Sequence, residues 1–240
     1  MKSLKENMYE SGEYLDKHPD WHASDSPFKA NYIAKIIERN SLLPKTISEV
    51  GCGVGEILVN LHNHLSKDII FSGYEVSPQA FSLCKPKERE RLNFHFSDFF
   101  EETKDNPDII LVIDVFEHIE NYMGFLKKLS SKAKNFIFHI PLDMNVLNVI
   151  RDHPILYSRE TSGHLHYFTK NTALMTLKDC GYRIVDFIYT PGGFELPGSG
   201  TLKHRLFKLP RRVLYTINED LAARYLGGFS LMVLAENNAE

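Results

Sequence analysis

Glu49-Val50-Gly51-Cys52-Gly53-Val54-Gly55 constrains this chain more than any other stretch. Three glycines at alternate positions behind an acidic residue describe backbone bent tightly around a small charged ligand, because glycine accepts positive φ and has no Cβ to hold a ligand away. The flanks supply the setting. Thr46 to Val50 is short and partly β-branched, and Ile57, Leu58, Leu61 and Leu65 follow at helical spacing, so the segment reads strand, turn, helix.

A dinucleotide fingerprint would place a third glycine three positions after Gly53, where this chain has Glu56. A carboxylate in the first helical turn repels the pyrophosphate that a helix N-terminus otherwise holds, which disfavours a nicotinamide-dependent reductase. The following segments arrive in the order of a nucleoside-binding α/β domain. Ile69 to Glu75 is an apolar strand ending in a carboxylate able to accept both hydrogen bonds from ribose hydroxyls. Leu92 to Phe96 alternates as a strand does and leads into Ser97-Asp98-Phe99. Asp108 precedes Ile109 to Ile113, an apolar run expected of a parallel strand covered on both faces. That run ends in Asp114-Val115-Phe116-Glu117-His118, beyond the carboxyl end of a strand, where open α/β sheets bind ligands.

The acidic-x-Gly-x-Gly-x-Gly loop resembles motif I of class I S-adenosylmethionine (SAM) methyltransferases, and the run from Thr46 to His118 looks like their cofactor-binding half. The element Asp114 to His118 is similar to the D-x-L-E-H segment of ubiquinone-biosynthesis-type small-molecule O-methyltransferases. The likeness continues through Asn135 to Pro141, His164 to Thr169, a helix over Thr172 to Cys180, Gly181 to Ile184, and Phe229 to Leu234. It implies a Rossmann-like, mostly parallel seven-stranded α/β sheet with an antiparallel last strand, spanning residues 31–240. It also implies methyl transfer from SAM to a small-molecule acceptor, at a hydroxyl oxygen. The cofactor set carried over is Glu49, Gly51, Cys52, Gly53, Gly55, Glu75, Val76, Asp98, Phe99, Asp114 and Val115, with Glu75 on the ribose, Asp98 on the adenine amino group and the Phe99 amide at the ring. A SAM-binding regulatory or partner-activating protein without catalysis would use the same set.

A hydroxyl acceptor benefits from a base beside the methyl group, and His118 and His166 are the candidates. His139 lies inside a strand and reads as a core residue. Asp114, Glu117 and His118 match, with aspartate first, the Glu-x-x-Glu-His set by which ubiquinone-type enzymes hold a divalent ion. The expectation taken here is that they cap the helix and contact SAM, with no metal. The aromatic and histidine-bearing loops, including Tyr167, suit a hydroxylated ring.

Two additions flank this core. Residues 1–30 form an arm in which Tyr14, Trp21, His22 and Phe28 either fold over the cofactor mouth as a lid or anchor the arm to the domain; Trp21 and His22 are substrate candidates. Ser26 is a plausible cap before Pro27 at the first helical position, opening a helix that runs to Asn40. Residues 191–227 form an insertion before the last strand. Its segment 202–215 alternates cations with apolar residues around Pro210, which is expected to interrupt it. A lid helix packing its apolar stripe on the domain is the expectation; peripheral membrane contact, or a sugar- or glycan-linked, phosphorylated or lipid-linked acceptor, is the alternative.

A net charge of -3 gives no reason to expect nucleic acid. Met1 to Asn7 lacks the apolar core of a signal peptide and no long apolar run occurs, so a cytoplasmic protein is expected. Cys52, Cys84 and Cys180 are odd in number and far apart, suiting neither a disulfide framework nor a zinc site.

Overall fold

A computed structural model describes residues 21, 23–102, 106–196 and 202–238. The expected strands form a single sheet: β1 Thr46–Val50, β2 Ile70–Glu75, β3 Leu92–Phe96, β4 Ile109–Ile113, β5 Asn135–Pro141, β6 Tyr182–Thr190 and β7 Ser230–Asn237. Their order is β3-β2-β1-β4-β5-β7-β6. Strands β1 to β5 pair in parallel, and β7 runs antiparallel between β5 and β6. The strand order reverses at β1, with β2 on one side and β4 on the other, and that is where an open α/β sheet holds its ligand.

The unbroken apolar run of β4 is explained by its two faces. Ile109, Leu111 and Ile113 pack with Ile33, Ile36, Leu58 and Phe71 on one side, while Ile110 and Val112 pack with Phe116, Phe136 and Phe138 on the other. Helix α1 (Ser26–Arg39) and helix α2 (Glu56–His64) cover the first face. Helix α3 (Pro78–Cys84) follows β2, with the Ser77 side chain accepting from the Ala80 amide as its cap. Helix α4 (Tyr122–Leu129) lies on the second face through Leu126 and Leu129. Between β5 and β6 come α5 (Val146–Arg151), α6 (His153–Thr161) and α7 (Lys170–Asp179). Helix α7 starts two residues before the expected Thr172, closed by a reciprocal capping box between Thr169 and Thr172.

Two local expectations are corrected. Ser26 is already helical, and Asp25 occupies the cap position without a side-chain cap bond. The described part of the insertion is mostly helical. Helix α8 (Leu202–Ile217) runs through Pro210 and is followed by α9 (Glu219–Leu226). Pro210 removes one helical hydrogen bond and crowds the carbonyl four residues back. It sits on an exposed part of α8, where water can reach the freed carbonyl.

Candidate functional site

The glycine loop turns directly off β1. Gly51, Gly53 and Gly55 all have positive φ, so the loop needs glycine for its conformation. The amides of Gly51 and Cys52 donate to the Tyr74 carbonyl at the end of β2, at 2.9 and 3.1 Å, which pins the turn to the sheet. The glycines then do different jobs. A Cβ on Gly55 would lie 2.5 Å from Phe94 Cζ, inside the core, whereas a Cβ on Gly53 would meet the Trp21 ring, at 3.0 Å from Cδ1 and Nε1. Trp21 therefore covers the open side of the loop. A Cβ on Gly51 would touch Val115 Cγ2 at 3.0 Å, joining the loop to the segment after β4.

Glu75 closes this loop from β2. Its Oε2 accepts from the Gly53 amide at 2.7 Å, and its Oε1 accepts from the amides of Val76 and Ser77 at 2.9 and 2.7 Å. Burial pushes its pKa up, and these three amides oppose the shift. Glu49, at the end of β1, is 1% exposed and its Oε2 has no hydrogen-bond partner. Burial raises its pKa well above the usual carboxylate range; Lys29 opposes that rise, and Glu75 and Asp114 add to it.

Asp114 anchors the other side. Its backbone is left-handed, with φ 54°. Oδ2 meets Lys29 Nζ of α1 at 2.7 Å, and Oδ1 accepts from His139 Nδ1 of β5 at 2.6 Å. Burial alone would raise the Asp114 carboxyl, but His139 and Lys29 outweigh it and hold the group far below its ordinary value. Burial likewise works against the Lys29 cation, and Asp114 reverses the balance, so its pKa is raised. His139 Nε2 bonds Thr190 Oγ1 at 2.8 Å, tying the pair to β6. Sequence reasoning placed His139 correctly in the core but missed its polar role, and it missed Lys29 altogether. A lysine at the start of an amphipathic helix carries no local signal of reaching the end of β4.

Beyond Asp114, a 3-10 turn carries Glu117 and His118. Glu117 is 1% exposed and neither carboxylate oxygen has a hydrogen-bond partner. Burial, then the neighbouring Asp114, raises its pKa well above normal. The amides of Leu165 and His166 donate to the Glu117 carbonyl, which draws the 164–166 loop onto this turn. One ligand atom each from Glu117, His118 and His164 fall within 4.8 Å of one another. His164 Nδ1 bonds Asp143 Oδ2 at 2.7 Å, leaving Nε2 with the lone pair in the neutral ring. His166 sits differently, its Nε2 on the Ile119 carbonyl at 3.0 Å and its ring against Tyr122. Tyr167 donates to the His164 carbonyl at 3.0 Å.

Of the remaining expected residues, Asp98 is exposed and caps the Phe99–Glu102 turn through the Phe100 amide. The Phe99 ring packs edge-on to Tyr74 in the core, Val76 is exposed, and Cys52 is buried. His22 and Tyr14 lie outside the described residues.

A family model described as a methyltransferase domain matches residues 27–186, more than half of the chain. The chain belongs to that family. No protein of curated function matches this methyltransferase. Solved structures share its fold at low identity. The methyltransferase bound to the Trm112 methyltransferase activator of Haloferax volcanii aligns with TM-score 0.63 and 14% identity over 99% of each chain. Magnesium protoporphyrin IX methyltransferase from Synechocystis, solved with S-adenosylhomocysteine, aligns with TM-score 0.59 and 16% identity over 91% of this chain and 86% of that one. A sarcosine dimethylglycine methyltransferase from Galdieria sulphuraria gives TM-score 0.60 and 14% identity over 88% and 85%. The family is SAM-dependent, and the residues present fit that cofactor. A buried carboxylate with an unpartnered oxygen, Glu49, suits a cationic ammonium, and Gly53, with no side chain on the face that Trp21 covers, suits an uncharged nucleoside lying against the loop.

Proposed function

We propose that the methyltransferase binds SAM across Glu49, the Gly51–Gly55 loop, Glu75 and the segment from Asp114, and methylates a hydroxyl oxygen of a small molecule. The unpartnered oxygen of Glu49 carries the cofactor reading. SAM supplies a methyl group already activated on a sulfonium, so the protein's work is positioning and handling the acceptor proton. Lys29 and His139 keep Asp114 ionised and oriented at the mouth. Glu75 offers its remaining oxygen lone pairs to ribose hydroxyls, and Asp98 stands beyond β3 for the adenine edge. His118 and His166 are the base candidates; His118 is the better placed, because it stands beside Glu117 and His164, while His166 Nε2 is engaged with backbone. Trp21 covers the loop and Tyr167 borders His164, which supports a role for both against an acceptor ring. A regulatory protein without turnover would bind SAM with the same residues and transfer nothing.

Calorimetric titration tests the cofactor site. Glu49→Gln is expected to weaken SAM binding about 10- to 100-fold, the scale of a lost charged hydrogen bond. Its effect on the protein alone should have the opposite sign. Folding raises the Glu49 pKa, so the stability this group contributes is full below its unfolded value near ~4.3 and is lost as pH rises through the folded value. Glutamine keeps the neutral form, so near neutral pH the variant should melt higher without SAM and bind SAM less well. Unchanged SAM affinity would remove Glu49 from the site.

A second reading of the proton-handling step rests on Glu117, whose two buried oxygens lack hydrogen-bond partners. With His118 and His164 it offers one oxygen and two nitrogen ligands, and Asp143 orients His164 as outer carboxylates orient metal-bound imidazoles. Asp114 takes no part, since Lys29 and His139 occupy its oxygens. A divalent cation held there would polarise an acceptor hydroxyl and ease its deprotonation. Titration with Mn²⁺, followed by electron paramagnetic resonance, should show one bound ion that is lost in Glu117→Gln and in His164→Ala. If the unmodified protein binds no Mn²⁺, His118 stands as a metal-free base.

A further inference from the structure

Helix α8 turns its apolar stripe away from the domain. Leu206, Leu209, Val213 and Ile217 recur at intervals of three and four and so share one face; they are 64, 68, 49 and 74% exposed. The opposite face makes the contacts: Leu214 and Tyr215 pack on the core, Lys208 Nζ donates to the Leu196 carbonyl at 2.8 Å, and Arg211 donates to the Leu226 carbonyl. This reverses the expectation that the stripe packs on the domain. Four large apolar side chains in one row exposed to water need a covering surface.

Charge indicates which surface. From Leu196 to Asn218 the chain carries Lys203, Arg205, Lys208, Arg211 and Arg212 and no aspartate or glutamate, in a protein whose net charge is -3. Arg212 is exposed beside the stripe. A row of leucine, valine and isoleucine with Arg212 at its edge and no carboxylate within α8 fits an acyl-chain and headgroup boundary better than a protein face.

We propose that α8 is an interfacial helix that seats this protein on an anionic lipid bilayer, its Leu206-Leu209-Val213-Ile217 row in the acyl boundary and Arg212 at the headgroups. No helix among the described residues is long and apolar enough to cross a membrane, so the contact is peripheral. The proposal stands whether or not the acceptor is a free small molecule; if it holds, the acceptor class it favours is a hydroxylated compound carried on lipid.

The test is co-sedimentation of the full chain with vesicles of phosphatidylcholine alone and of phosphatidylcholine with phosphatidylglycerol, at low and high salt. Binding to the anionic vesicles only, weakened by salt, is expected. Leu206→Glu, Leu209→Glu and Ile217→Glu together should lower that partition by at least about 30-fold, from lost apolar burial and added repulsion. Arg212→Glu alone should lower it about 5- to 10-fold. Both variants should keep wild-type SAM affinity and circular dichroism, which separates lost docking from lost folding. Equal binding to the two vesicle types, or to neither, would overturn the proposal. So would a concentration-dependent dimer that the triple variant makes monomeric without any vesicle binding, since the stripe would then seat a second copy.

Discussion

Asp114→Asn is expected to be the most damaging conservative change in this protein, lowering stability by about 3 to 5 kcal/mol. Asparagine tolerates the left-handed backbone at this position, so the loss is electrostatic and not conformational. It leaves one acceptor oxygen for two donors. Lys29 Nζ, 2.7 Å from Oδ2, and His139 Nδ1, 2.6 Å from Oδ1, each used a carboxylate oxygen, and in the variant one of them faces an NH2 group while Lys29 loses its counter-charge in a largely buried site. Removing one member of a buried pair leaves the desolvation penalty of the other uncompensated, which is why the effect exceeds that of a surface ion pair. The pH dependence identifies the mechanism. The Asp114 pKa is depressed by folding, so its stabilisation is present above the unfolded value near ~3.9 and is lost as pH falls through and below it. The gap in melting temperature between wild type and Asp114→Asn should be widest near neutral pH and shrink steadily below about pH 5. A gap that does not change with pH would mean that the Lys29 and His139 contacts contribute little. Lys29→Met should also destabilise, but less, because Asp114 keeps its His139 partner.

This centre also shows where a sequence stops informing. The elements that bring Glu49, Glu75 and Asp114 together were all legible, because each has a local signature. The loop needs glycine at its positive-φ positions, β2 ends in a carboxylate, and β4 is apolar at every residue since both its faces are covered. The charge balance was not legible. Lys29 and Asp114 are far apart in the chain and meet because α1 lies across the face carrying Ile109, Leu111 and Ile113. His139 alternates correctly for a core position, and only the approach of Asp114 and Thr190 makes it a polar bridge. His164 was read as part of an aromatic loop; two backbone amides on the Glu117 carbonyl bring it to Glu117 and His118.

The insertion was misjudged for a related reason. A proline argues locally for a break and an apolar stripe argues for burial, and both rules assume that the rest of the protein decides nothing. Leu214, Tyr215, Lys208 and Arg211 hold α8 by its mixed face. The helix consequently persists past Pro210, and the stripe is left pointing outward.

Gly53→Val should abolish SAM binding while leaving the protein folded, and its pairing with Gly55→Val makes the result decisive. The two glycines are two residues apart in one loop, at φ 54° and 78°, yet they face opposite ways. At Gly55 an added Cβ runs into Phe94 and Cys84 in the core, so valine there should destabilise the protein by several kcal/mol, on the scale of overpacking plus ~1–2 kcal/mol for a side chain at positive φ. At Gly53 the same backbone strain applies, but among the described residues the atoms within 4 Å of the new Cβ belong to Trp21, and the core is untouched. The valine would instead fill the face over which Trp21 lies. Calorimetry with SAM and with S-adenosylhomocysteine should show affinity reduced at least about 100-fold in Gly53→Val, equivalent to about 2.7 kcal/mol. Its cooperative melting transition should be retained, whereas Gly55→Val loses that transition. Retained SAM affinity in a folded Gly53→Val protein would place the cofactor away from this loop, because a ligand lying against the main chain here could not tolerate an isopropyl group between them.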